Sequence, residues 1–205
     1  NALGGSSLVD KTVVIGSGAG AAAMTADADG TIAIGYQAGL AITSGEKNTA
    51  VGYEALNAQA TGDLSTAVGY QALKACTGVS GEIGNTAFGY QAGLAVTTGQ
   101  ANIAIGIGSL RTTTTGGMNI CIGRDTMVDV DAGSTSLASS ANIFIGTNAG
   151  SGTWVDANTT KNTCVGKSTM SEALDGATEN VAIGDSACKD CTTGDNNTCV
   201  GTESG

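Results

Sequence analysis

The chain has 205 residues, of which 33 are glycine and none is proline or histidine, and eight basic against eighteen acidic residues leave a net charge of −10. The absence of histidine removes Ser-His-Asp triads, Cys-His pairs and most zinc sites, and the acidic balance disfavours nucleic acid and anionic membrane surfaces. No stretch approaches the ~20 apolar residues of a membrane span, and no cleavable export signal is visible.

A short phrase recurs eleven times, centred on Gly16, Gly35, Gly52, Gly69, Gly89, Gly106, Gly123, Gly146, Gly166, Gly184 and Gly201. The spacings are 19, 17, 17, 20, 17, 17, 23, 20, 18 and 17, so the base period is 17 and the rest are loop insertions, near 20–30, 78–84, 129–140 and 151–161. The residue before each glycine is Val, Ile or Phe, and the residue three after it is Ala, Ser or Thr. Asn stands four before the glycine in eight copies, among them Asn48, Asn85 and Asn102. A fixed short period of this kind predicts a solenoid. Seventeen residues hold two short strands and two turns but not a strand, a helix and both connections. The expected fold is therefore all-β, a single parallel β-solenoid over 1–205 of about eleven coils, with no significant helix.

The first copy, Val13-Val14-Ile15-Gly16-Ser17-Gly18-Ala19-Gly20, imitates a dinucleotide-binding fingerprint. That motif is weak alone. Here it coincides with the repeat, and no acidic residue ends a following strand at the right distance, so no cofactor is assigned. Asp27 and Asp29 follow in the first insertion and are candidate calcium ligands, as are Asp129 and Asp131 further on; solvated acidic turns are the competing reading. Tyr36, Tyr53, Tyr70 and Tyr90 follow the glycine in four consecutive copies and should stack as a ladder, either as structural packing or as a platform for sugar rings. Gly52, Gly69 and Gly89 should stack likewise, each allowing a tight corner or close backbone approach. The asparagines should form an amide ladder along the coil axis.

Alternation within the strands places Ile103 and Ile105 on one face and Ala104 on the other. Both faces are apolar, and one takes only small residues. One would fill the coil, while the other would pack against another subunit or the opposite wall. So thin a coil has a small core, which favours association of several chains, three above all. Cys121, Cys164 and Cys199 occupy the small-residue slot as buried hydrophobes. Cys188 and Cys191 form a C-x-x-C turn in which a local disulfide fits an exported protein, and Cys76 has no evident partner. The insertions 129–140 and 151–161 are expected to project; the second carries Trp154, the only tryptophan, read either as a recognition anchor or as a cover on the solenoid flank. Carboxylates do not recur as an acid–base pair, and the chain is not read as an enzyme.

The phrase in Asn48-Thr49-Ala50-Val51-Gly52-Tyr53-Glu54-Ala55-Leu56 and Asn85-Thr86-Ala87-Phe88-Gly89-Tyr90-Gln91-Ala92-Gly93, with Thr-Thr-Gly between copies, resembles repeats of phage tail fibres and bacterial surface proteins. It is also similar to the left-handed parallel β-roll in the heads of trimeric autotransporter adhesins. The resemblance runs from Thr12 to Gly205, is best from Thr31 to Leu110, and loosens after Arg124, where Lys167 and Asp185 replace the tyrosine. It implies a left-handed, trimeric, extracellular rod on a cell surface or virion. The leading expectation is a structural fibre or filament, and the alternative is an adhesin that binds a glycan or receptor. Asn1-Ala2-Leu3 reads like the tail of a copy, and the chain stops four residues after Gly201; joining the ends gives 4 + 16 = 20 residues, a spacing already in use. Rungs are expected to continue past both ends, in a longer polypeptide or by end-to-end stacking of subunits.

Overall fold

The computed structural model describes residues 11–78, 81–128, 138–154, 158–172 and 174–205. Asn1-Ala2-Leu3, Asp129 and Asp131 lie outside the described residues. Eleven three-residue strands, from Val13–Ile15 to Thr198–Val200, pair in parallel in chain order within one sheet, with ten turns of the coil between them. The pairing is in strict register: Val51 stands beside Val68, and Val68 beside Phe88. At ~4.8 Å per rung the rod is roughly 50 Å long. One 3-10 turn, Ala26–Ala28, sits in the first insertion and turns Ala28 into the core.

The two strands expected per coil reduce to one. Among the described residues a second sheet forms only where Gly62–Asp63 pairs with Gly81–Glu82, the latter inside the 78–84 insertion, and a lone parallel bridge joins Thr160 to Thr178. Elsewhere the return leg is broken by residues in the left-handed region, such as Gln37, Glu54, Gln71 and Gln91 at φ of +51, +50, +54 and +53°, and Leu56 and Leu73 at +50 and +48°. A side chain in that region costs on the order of 1 kcal/mol. The cost is offset because the amides of this leg still bond from rung to rung. The Glu54 N–H donates back to the Tyr36 carbonyl at 2.8 Å, whereas the Leu56 N–H donates forward to Ala72 at 3.0 Å.

The strand faces are not equivalent. The central small residue points inward, and Ala50, Ala67, Ala87 and Ala104 are all buried, while the larger residues on either side face out. Small residues suffice on the inner strand face because the opposite wall supplies the bulk. The residue three after each repeat glycine but the last (Ala55, Ala72, Ser109) is buried, and Leu56, Leu73, Leu110, Met127 and Met170 follow it into the core. Where the slot four after the repeat glycine is itself glycine, another side chain takes the space. A Cβ on Gly39 would lie 2.8 Å from Ile42, and one on Gly150 would lie 2.7 Å from the ring of Phe144. Each rung thus holds roughly constant core volume by trading one slot against another.

The corner glycines meet backbone to backbone. Gly89 has φ +134°, and a Cβ there would lie 2.6 Å from the carbonyl oxygen of Gly106. No other residue fits that approach. At the strand entrance the asparagines tie each rung to the next. Asn102 Nδ2 donates to the Gly116 carbonyl at 2.9 Å, and its Oδ1 accepts the Asn119 backbone N–H at 3.1 Å and the Asn119 Nδ2 at 3.2 Å. The same arrangement links Asn119, Asn142, Asn162 and Asn180 in turn. Asn48 and Asn85 donate to Gly62 and Gly99 at 2.8 and 2.7 Å. At Ser65 the series breaks: this side chain is too short to bridge, and its buried hydroxyl has no partner among the described residues.

Two outcomes are expected. Asn102→Ala strands the Gly116 carbonyl and the Asn119 N–H in the interior, and at ~1–3 kcal/mol per orphaned group it should lower unfolding free energy by about 2–5 kcal/mol in chemical denaturation, whereas exposed Gln100→Ala changes it by under ~0.5 kcal/mol. Phe144→Ala should cost ~3–5 kcal/mol as a cavity and Gly150→Leu ~1–3 kcal/mol as overpacking. The double variant recreates the Ala50–Leu56 pairing, so its destabilisation should fall well below the sum in a double-mutant cycle.

Candidate interaction surface

The outward strand residues form an aliphatic stripe along the whole sheet. Ile15, Phe88, Ile105, Val165, Ile183 and Val200 are exposed, from 37% at Val165 to 66% at Val200, and Ile34, Val51, Val68, Ile122 and Ile145 are half-buried between them. Large apolar side chains aligned in one column on a monomer surface mark an interaction face. The small face fills the coil and the β-branched face looks out.

Next to the stripe, one residue past each corner glycine, the tyrosines stack. Ring centroids of Tyr36–Tyr53, Tyr53–Tyr70 and Tyr70–Tyr90 are 4.9, 5.2 and 5.1 Å apart, with planes within 20° of parallel. Each ring is 41–50% exposed. The next position outward carries a polar ladder. Gln91 Nε2 donates to Gln71 Oε1 at 3.0 Å, Gln71 Nε2 donates to Glu54 Oε2 at 2.9 Å, and Lys74 pairs with Glu54 at 2.7 Å. The Lys74 ammonium and the Gln71 amide hold the Glu54 carboxyl below its usual range. Partial burial pushes the Tyr53 hydroxyl up, with the Glu54 charge adding to it. The rung after Tyr90 continues the column with exposed Ile107, and the next has Arg124, so the apolar ribbon is widest between Ile34 and Ile107.

Trp154 does not belong to this surface. It is fully buried, its Nε1–H donates to the Gly150 carbonyl at 3.1 Å, and its ring lies 5.7 Å from that of Phe144. The expectation of a projecting recognition residue is corrected: Trp154 stands eight after Gly146, the slot that Met24 and Leu174 fill in two other lengthened rungs. Rungs of base length use the seventh position instead, as with Ile42 and Val96. Asp27 is exposed on the 3-10 turn and Asp29 is half-buried beyond it. Neither is part of a converging group of three ligands among the described residues.

The cysteine pairing also differs from expectation. The disulfide joins Cys188 to Cys199, not to Cys191. Cys188 fills the core slot four after Gly184, and the next rung directs the strand-centre residue Cys199 into the same space, with Cα atoms 5.8 Å apart. Cys191 remains a thiol with its sulfur 2.7 Å from that of Cys188. Burial, and then the Asp190 carboxylate, push the Cys191 thiol up. Burial also raises Cys76, to about 11, and raises Cys121 and Cys164 further. The glycine-rich run from Gly16 to Gly20 is the corner of the first coil, with Gly16 against the Gly35 backbone.

No helix among the described residues is long and apolar enough to cross a membrane. Comparison of the chain with protein-family models, curated proteins and solved structures returned no match.

Proposed function

We propose that this chain is a segment of an extracellular structural fibre, a rigid solenoid rod that associates with copies of itself. The observation that carries this reading is the uninterrupted outward stripe from Ile15 to Val200 with its tyrosine border. A partner able to cover such a stripe must present apolar groups at the same ~4.8 Å repeat, and a second copy in parallel does so at every rung. Three stripes turned to a common axis give the trimer that the tail-fibre and adhesin resemblance implies. Val13–Ile15 and Thr198–Val200 are the outermost strands of the described sheet, and axial stacking of copies would pair such edges. The Cys188–Cys199 disulfide supports an oxidising, exported setting.

The test is oligomeric mass by light scattering together with electron microscopy. The wild-type protein should form trimers or filaments. Val68→Lys combined with Phe88→Lys places charges on the outer face, where folding tolerates them, and should leave folded monomers with unchanged strand circular dichroism. A wild-type protein that stays monomeric at every concentration overturns the reading.

A second reading, a glycan-binding adhesin, is favoured by the exposed tyrosine stack beside the Glu54–Gln71–Gln91 ladder. Aromatic faces pack on sugar rings while amides and carboxylates bond hydroxyls. On a glycan array this reading expects binding that Tyr70→Ala lowers at least about tenfold, equivalent to ~1.4 kcal/mol, without changing the oligomer.

A further inference from the structure

The stripe and the tyrosines leave one chemically distinctive cluster unused. At the last two described rungs the sulfurs of Cys188, Cys191 and Cys199 all lie within 4.8 Å of one another, and this is the one convergent group of three potential metal ligands among the described residues. We infer that in the reduced chain these three cysteines form a three-thiolate site for Zn(II), with the fourth position open to water.

Three coil slots converge to build it. Cys188 is four after Gly184, Cys191 is seven after it, and Cys199 is the strand centre of the next rung. Elsewhere a strand-centre cysteine faces methionine: Cys121 lies 3.3 Å from Met127 and Cys164 lies 3.2 Å from Met170. Only here do all three slots carry a thiol. The Cys188-x-x-Cys191 turn is closed by the Cys191 N–H donating to the Cys188 carbonyl at 3.2 Å, and Cys188 is anchored by its own N–H on Ser204 at 2.7 Å. A C-x-x-C turn with a third cysteine from a neighbouring strand is a donor set for a thiophilic ion. Zn–S bonds of ~2.3 Å place tetrahedral sulfurs within the 4.8 Å over which the three already converge.

The surroundings favour a cation. Asp190 and Glu203 line the shallow recess of about 290 Å³ beside the turn. Lys189, the one basic residue there, turns its ammonium to Glu172 at 3.5 Å. Gly205 covers the Cys188 and Cys199 sulfurs, where a Cβ on it would lie 2.6 Å from Cys199 Sγ, while half-exposed Cys191 leaves the fourth position its approach to water. The site and the disulfide exclude each other. A dithiol or phosphine reductant supplies two electrons, the Cys188–Cys199 bond breaks, and two protons complete the thiols. Binding of Zn(II) then releases the three thiol protons as three Zn–S bonds form.

The experiment titrates Zn(II) into the full chain, with Co(II) as a visible-absorbing probe, after phosphine reduction and again in the oxidised form. The reduced chain should bind one Zn(II), show tetrahedral thiolate Co(II) absorption, and be protected from alkylation at Cys188, Cys191 and Cys199 but not newly at Cys76. Cys191→Ser should weaken Zn(II) binding by at least ~100-fold, since even outer partners of a ligand are worth ~10–100-fold. Oxidised protein should not bind. Equal binding by oxidised and reduced chains, no Zn(II) uptake after reduction, or alkylation of wild-type Cys191 at the same rate with and without Zn(II) would each overturn the inference. The alkylation measurement uses no variant, so it stands even where Cys191→Ser fails to fold.

Discussion

Everything in this molecule depends on one contact, the approach of each rung's backbone to the next without a side chain between them. At the corner, glycine lies on glycine, as Gly89 lies on the Gly106 carbonyl. At the strand entrance, where the chain bends and the ladder would lose a partner, Asn side chains take over the carbonyl's role and accept the next rung's N–H. These two devices hold the rungs in register. With register held, the strained left-handed corners at Glu54 or Leu56 are affordable, because the amides beside them have a partner above or below.

Register in turn decides what the surface looks like. Residues at equivalent positions are forced into columns, so a preference repeated in sequence becomes a continuous physical feature. Four tyrosines one repeat apart become a stack, and eleven β-branched or aromatic residues become a ribbon. The interior shows the same logic in reverse. Core volume is held per rung and not per position, which is why Phe144 sits in a slot usually held by Ala, provided that Gly150 vacates the space opposite.

The period, the parallel stacking and the alignment of Val51, Val68 and Phe88 were legible because glycine and asparagine constrain the backbone directly. Which strand face points inward was not, since alternation in Ile103-Ala104-Ile105 reports parity and says nothing of direction. The answer lay in the other half of the coil, where Leu56 and Ile42 already fill the core. The second strand was over-read because a seventeen-residue period has room for one but says nothing of φ, and residues such as Gln71 and Leu73 adopt left-handed angles under tertiary constraint. Trp154 and the partner of Cys188 were not legible for a common reason: a lone Trp and a C-x-x-C are local features, whereas the coil slot is what decides the contact. Trp154 stands eight after Gly146 and is buried there, and Cys199, correctly read as a buried strand-centre residue, is brought by stacking onto Cys188 in the coil beneath.

Each strand of the described sheet touches only the strands before and after it, so the rod behaves as a chain of coupled units. The covalent Cys188–Cys199 link joins the final two described coils and shortens the loop available to the unfolded chain, an effect worth about 3 kcal/mol for a closure of this size. Among the described coils these two are therefore covalently joined, whereas neighbours such as Val13–Ile15 and Ile32–Ile34 are held together by hydrogen bonds and packing. Opening one coil from the next costs more where the link spans them, so the linked pair exchanges its amides later than comparable unlinked coils.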